Sequence, residues 1–93
     1  MINVTFRIFA RFKETFGAER KVFLEGEPSI KDAVSKLCAE TEGGYTVLFG
    51  DDGELLDTVL LMYNKKRVSG DKAGETLLKD GDEIILYPPV SGG

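Results

Sequence analysis

One stripe of apolar residues at helical period, between residues 30 and 41, limits what this chain can become. Ile30, Ala33, Val34, Leu37 and Cys38 fall at i, i+3, i+4, i+7 and i+8, so a helix there has one face to bury and the rest to leave in water. Ser29 is a good N-cap, and Asp32 three positions on completes an acidic capping box. Gly43-Gly44 is the expected stop at the far end. A helix with one stripe needs one sheet face to cover it, and the remaining apolar residues come in short β-favouring runs. The expected fold class is therefore α+β, a single mixed sheet crossed by one main helix. Cys38 sits on the stripe and reads as packing, since reactive thiols occupy partly exposed electropositive sites.

The runs supply the strands. Ile2, Val4, Phe6 and Ile8 alternate with Asn3, Thr5 and Arg7, which predicts a strand over 2–9 with one face on the core. Phe12 and Phe16, four apart, share one face of a helical turn closed by Gly17. Residues 20–25 read as a second strand, antiparallel to the first, ended by Gly26-Glu27-Pro28. Residues 58–63 form a third, Asn64-Lys65-Lys66-Arg67 a basic turn, and Val68 begins the return. Thr76-Leu77-Leu78-Lys79 resembles a single turn packed by its two leucines. Asp80-Gly81-Asp82-Glu83 then supplies a turn, with Gly81 free to take positive φ. It feeds a last strand over Ile84–Tyr87, whose unbroken apolar run suits burial on both faces.

Between the helix and the third strand, Glu40, Glu42, Asp51, Asp52, Glu54 and Asp57 occur without a basic residue. Asp51-Asp52-Gly53-Glu54 lacks the alternating oxygen ligands of a calcium loop and reads as a solvated turn, so no metal site is expected. Val47-Leu48-Phe49 and Leu55-Leu56 flank it and tuck a short irregular or helical segment against the sheet.

Pro88-Pro89 ends the last strand, because neither residue has an N–H to donate. The chain divides into a domain over 1–87 and a flexible tail over 88–93, and the residues after Tyr87 reach roughly 20 Å when extended. The tail is either a frayed end or a substrate in which the carboxylate of Gly93 is activated by adenylation. Gly92 and Ser91 are small enough to thread the narrow slot that such an enzyme needs. Attack on the adenylate by a sulfur donor gives a thiocarboxylate, and transfer to a lysine amine gives an isopeptide bond. Tyr87, Pro88, Pro89 and Val90 are the candidate partner-binding residues, with Tyr87 equally able to complete the core.

Composition narrows the partners. A net charge of −4 over 93 residues argues against a nucleic-acid backbone or an anionic membrane, leaving a protein as the expected partner and a monomer as the expected free state. No apolar run approaches the length of a membrane span and the start lacks signal-peptide character, which points to the cytoplasm. The chain has no histidine and one cysteine, so histidine acid/base chemistry, an internal disulfide and an iron–sulfur cluster are excluded.

Phe9-Ala10-Arg11 with Glu14 and Gly17, then Leu78-x-Asp80-Gly81-Asp82-Glu83-Ile84 and Pro88-Pro89-Val90-x-Gly92-Gly93, closely resemble the molybdopterin synthase small subunit and its sulfur-carrier relatives. Leu48-Phe49-x-x-Asp52-Gly53-Glu54-Leu55 is more particularly similar to the small archaeal ubiquitin-like modifiers of that family. The resemblance spans nearly the whole chain. It implies a β-grasp, ubiquitin-like fold with no bound cofactor, and a Gly93 carboxylate adenylated by a ubiquitin-activating-type enzyme that brings its own ATP and magnesium. Lys65 departs from the pattern, since many relatives place glycine after the hairpin asparagine; so does Ser91, where alanine is commoner. Three functions are consistent with these residues: a modifier and sulfur carrier joined to target lysines or to a sulfur acceptor; the non-catalytic small subunit of molybdopterin synthase, donating sulfur to a pterin precursor beside the large subunit; and a non-covalent β-grasp interaction domain.

Overall fold

In a computed structural model describing residues 1–56 and 58–88, alternation along the first segment makes a strand. This is β1 (Ile2–Ile8), whose Val4, Phe6 and Ile8 point into the core. Helix α1 (Phe12–Phe16) buries both of its phenylalanines and ends at Gly17, which takes φ 90°. Strand β2 (Glu19–Leu24) returns antiparallel to β1, with Val4 opposite Val22.

Helix α2 (Ile30–Ala39) follows the apolar stripe, burying Ile30, Ala33, Val34, Leu37 and Cys38. Its capping box is reciprocal: Ser29 Oγ accepts from Asp32 N at 3.1 Å while Asp32 Oδ2 accepts from Ser29 N at 2.9 Å. The helix stops before the glycine pair expected to end it. Thr41 Oγ1 donates to the Leu37 carbonyl and accepts from Arg20 Nη1, so the last turn is closed by a side chain and cross-linked to the sheet. Gly43, at φ 75°, instead opens helix α3 (Gly44–Leu48). Gly44 lies where a Cβ would stand 2.9 Å from Phe16 Cε1 and 3.2 Å from Cys38 Cα, so close packing among α1, α2 and α3 demands glycine there. The segment tucked beside the sheet is this helix with a turn, closed where Phe49 bridges Leu55.

Strand β3 (Leu60–Tyr63) pairs with β4 (Lys66–Val68), Tyr63 opposite Lys66. The expected four-residue basic turn is thus two residues, Asn64 and Lys65, both at positive φ (48° and 74°). That is the hairpin geometry that best matches strand twist, and it forms with lysine where glycine is easier. Helix α4 (Gly70–Ala73) buries Ala73. The turn expected at 76–79 is extended instead, with Leu77 bridging Ser29, Leu78 N donating to the Pro28 carbonyl, and Ile30 N donating to the Thr76 carbonyl. Backbone pairing with the α2 N-terminus outweighs any local turn preference. Leu78 is buried and Leu77 is exposed, so the two leucines do not pack together.

Strand β5 (Glu83–Tyr87) runs through the middle of the sheet, parallel to β1 and antiparallel to β3, in the order β2-β1-β5-β3-β4. This is the β-grasp arrangement, α+β with a mixed sheet. Burial of β5 alternates, however. Ile84 and Leu86 are fully buried and Glu83, Ile85 and Tyr87 only half so. The helices all cover one face, and the apolar run was expected to be buried on both. No helix among the described residues is long and apolar enough to cross a membrane.

Candidate functional site

Strand β5 leaves the sheet beside an apolar strip. Leu60 stands opposite Tyr87, and Met62 opposite Ile85 and Arg67. Side chains alternate across a strand, and Leu61, Ile84 and Leu86 occupy the core. Leu60, Met62, Ile85 and Tyr87 therefore share the uncovered face. Phe9 joins them at the sheet end: its N–H donates to the Leu86 carbonyl at 3.0 Å, its side chain is half exposed, and Ala10 at φ 55° turns the chain away toward α1.

Beside this apolar half, the uncovered face carries a charged half. Arg7 Nε donates to Glu83 Oε2 at 2.6 Å, and Arg7 Nη1 lies 3.5 Å from Glu19 Oε1. The hydrogen bond to Glu83 first, then the charges of Glu83 and Glu19, raises the guanidinium above its ordinary pKa. Charged and partly paired with one another, these groups leave the apolar strip as the most easily desolvated part of the face.

The Asp80-Gly81-Asp82-Glu83 motif holds the root of β5 in place. Asp80 Oδ1 accepts from Asn3 N, Gly81 N donates to the Asn3 carbonyl with Gly81 at φ 87°, and Thr5 N donates to the Asp82 carbonyl. Asp82 Oδ2 accepts from Tyr63 Oη at 2.6 Å and from Lys79 N at 2.7 Å. Burial first, and then the Asp82 contact, pushes the Tyr63 phenol up to about 12. The motif is therefore a staple that locks the central strand to β1 and to the β3–β4 hairpin.

Of the residues marked in the sequence, Tyr87 lies half-buried on the uncovered face at the end of β5 and Pro88 half-buried just beyond it. Pro89, Val90, Ser91, Gly92 and Gly93, including the carboxylate proposed to react, lie outside the described residues. Leu60, Met62 and Ile85 are not among the candidate partner-binding residues of the sequence, and Phe9 enters there only through the family motif. Their signal was present, since both parities of 59–62 and 84–87 are apolar, and a strand covered on one face alone must expose one parity. Burial pushes the Cys38 thiol up to about 11, which keeps it protonated near neutrality and a poor nucleophile. Among the described residues no three His, Cys, Asp or Glu side chains gather as metal ligands. Asp52 Oδ1 instead accepts from Glu54 N in a local turn.

Residues 6–93 match the ThiS family. The chain is 34% identical over 88 residues to small archaeal modifier protein 1 of Haloferax volcanii, covering 94% of this chain and 97% of that protein. It is 32% identical over 93 residues to the molybdopterin synthase sulfur carrier subunit of Escherichia coli, covering 100% of both. The fold superposes on the crystal structure of small archaeal modifier protein 1 from Haloferax volcanii with a TM-score of 0.86 at 32% identity, covering 98% of this chain and 99% of that one. Sequence and fold agree over nearly the full length, and the chain belongs to the ThiS family.

Proposed function

We propose that this protein is a ubiquitin-like modifier and sulfur carrier whose reactive group is the Gly93 carboxylate. The observation that carries the reading is the position of β5: a central strand, stapled at its start by Asp80 and Asp82, points its far end at Pro88 with an uncovered apolar strip around the exit. That geometry suits a domain gripped by an enzyme at Phe9, Leu60, Met62, Ile85 and Tyr87 while residues 88–93 pass into the enzyme's slot. The carboxylate attacks the α-phosphate of ATP, held with magnesium by the activating enzyme, and pyrophosphate leaves. Hydrosulfide-level sulfur then attacks the acyl carbon and displaces AMP to give a thiocarboxylate, or a thiol of the enzyme displaces AMP to give a thioester, from which a lysine amine takes the acyl group to form an isopeptide bond and release the thiol. The chain contributes no catalytic side chain of its own; it presents the end and identifies itself to the enzyme. Similarity to small archaeal modifier protein 1 supports lysine conjugation, while similarity to the molybdopterin synthase sulfur carrier subunit supports a second reading, in which the same tail enters a large subunit and gives sulfur to a pterin precursor.

Deleting Gly92-Gly93 tests the common chemistry. Assayed with a cognate activating enzyme, the truncated protein is expected to fold with unchanged stability and to lose adenylation, thiocarboxylate formation and conjugation together. Continued charging of the truncated form would overturn the reading. The mass of the full-length protein from its native cell separates the two roles: a lysine adduct identifies the modifier, and a sulfur-for-oxygen exchange with no adduct identifies the carrier alone.

A further inference from the structure

The apolar strip on the uncovered face is not the only surface suited to a partner. A groove of about 1130 Å³ is lined by Arg67 and Val68 of β4, the start of β3, the 52–56 turn and α4. Its floor includes Leu55, Leu56, Val59 and Val68. Strand β4 ends the sheet, so its outer side has no neighbouring strand. With a two-residue turn at Asn64-Lys65, Tyr63 and Lys66 form the closing hydrogen-bonded pair, and the next pair, Met62 and Arg67, is of the non-hydrogen-bonded kind. The N–H and C=O of Arg67 consequently face away from β3, at the open edge of the sheet beside the groove that Arg67 helps to line.

Charge on the rim is uneven in its availability. Lys31 Nζ is taken by Glu54 Oε2 at 2.9 Å, Lys72 lies 3.5 Å from Glu75, and Asp52 is used by the Glu54 amide. Arg67 has no ion-pair partner among the described residues, and it is the residue whose backbone is open to pairing. Asp71 lies in the first turn of α4, after Arg67 in the chain order of the groove's lining.

We infer that this groove binds an extended peptide segment of a partner protein, which adds to β4 through the Arg67 backbone, sets an apolar side chain on the Leu56–Val68 floor and offers a carboxylate to the Arg67 guanidinium. Strand addition takes its affinity from main-chain hydrogen bonds and its specificity from alternate side chains, and both ingredients occur here. Binding at β4 does not involve Gly93 or its chemistry, so such a partner recognises the folded domain whether or not the tail is joined to a target. The inference stands or falls separately from the proposed function.

The test is a backbone NMR titration of the full chain with two blocked five-residue peptides, one alternating glutamate and valine, the other lysine and valine. The acidic peptide is expected to move the amides of Arg67, Val68, Ser69 and Gly70 with saturation, and to bind about tenfold more tightly than the basic one, the ratio worth about 1.4 kcal/mol. Arg67→Gln should abolish that preference, and methylating the peptide's central amide nitrogen should weaken binding without touching the protein. Equal binding of the two peptides, no saturable shift, or shifts centred on Met62, Ile85 and Tyr87 would overturn the inference. So would movement of the Arg67–Gly70 amides on deleting Gly92-Gly93 from the free protein, which would make the chain's own tail the occupant.

Discussion

Tyr63 Oη donates to Asp82 Oδ2 at 2.6 Å, joining the end of β3 to the turn that launches β5. The same carboxylate accepts from the Lys79 amide, and Asn64 Nδ2 lies 3.4 Å from its other oxygen, so one side chain organises both the hairpin tip and the start of the central strand. Tyr63→Phe should cost about 1.5 kcal/mol, the scale of one hydrogen bond to a charged acceptor, measured by urea denaturation.

The pH dependence of that contact has a definite sign. The phenol is pushed up to about 12 in the folded protein, by burial first and then by Asp82, against about 10 when unfolded. Its stabilising contribution is therefore complete below pH 10 and is lost as pH rises through 12, because the unfolded chain releases the proton first. An ultraviolet titration should find one tyrosinate appearing late, and Tyr63→Phe should remove that late step.

Gly44→Ala should be destabilising by about 1–3 kcal/mol. Its Cβ would meet the Phe16 ring at 2.9 Å and the Cys38 backbone at 3.2 Å, and a backbone atom cannot rotate aside. Thermal unfolding compared with the wild type checks this; an unchanged midpoint would mean that α3 moves freely against α2.

Lys65→Gly should stabilise the hairpin. Lysine holds φ 74°, a left-handed conformation costing a side-chain-bearing residue about 1 kcal/mol, partly offset by the greater freedom glycine loses on folding. A net gain of about 0.5 kcal/mol in urea is expected. A loss would show that the Lys65 side chain makes an interaction worth more than the strain.

Val34→Asp should cost at least about 3 kcal/mol, a large part of the roughly 5–15 available to a domain. Val34 is fully buried in the α2 stripe, where an aspartate has no cation to pair with. Undiminished thermal stability would mean that the stripe is not core.

The elements whose signals are local were legible in the chain. Period two in residues 2–8, the stripe and capping box of α2, and the positive-φ position of Gly81 each follow from residues a few places apart, and backbone preference with side-chain alternation decides them. The β-grasp architecture was also within reach, through one helix stripe and a family resemblance. What depended on distant partners was not legible. The stretch over 76–79 is extended because Pro28 and Ser29 pair with it. Gly43-Gly44 begins a helix because Phe16 and Cys38 leave no room for a side chain. Ile85 and Tyr87 face outward because every helix packs on the other side of the sheet. An apolar run carries no record of which of its faces will be covered; that is settled only when the helices dock, and it is what leaves an apolar surface open around the exit of β5.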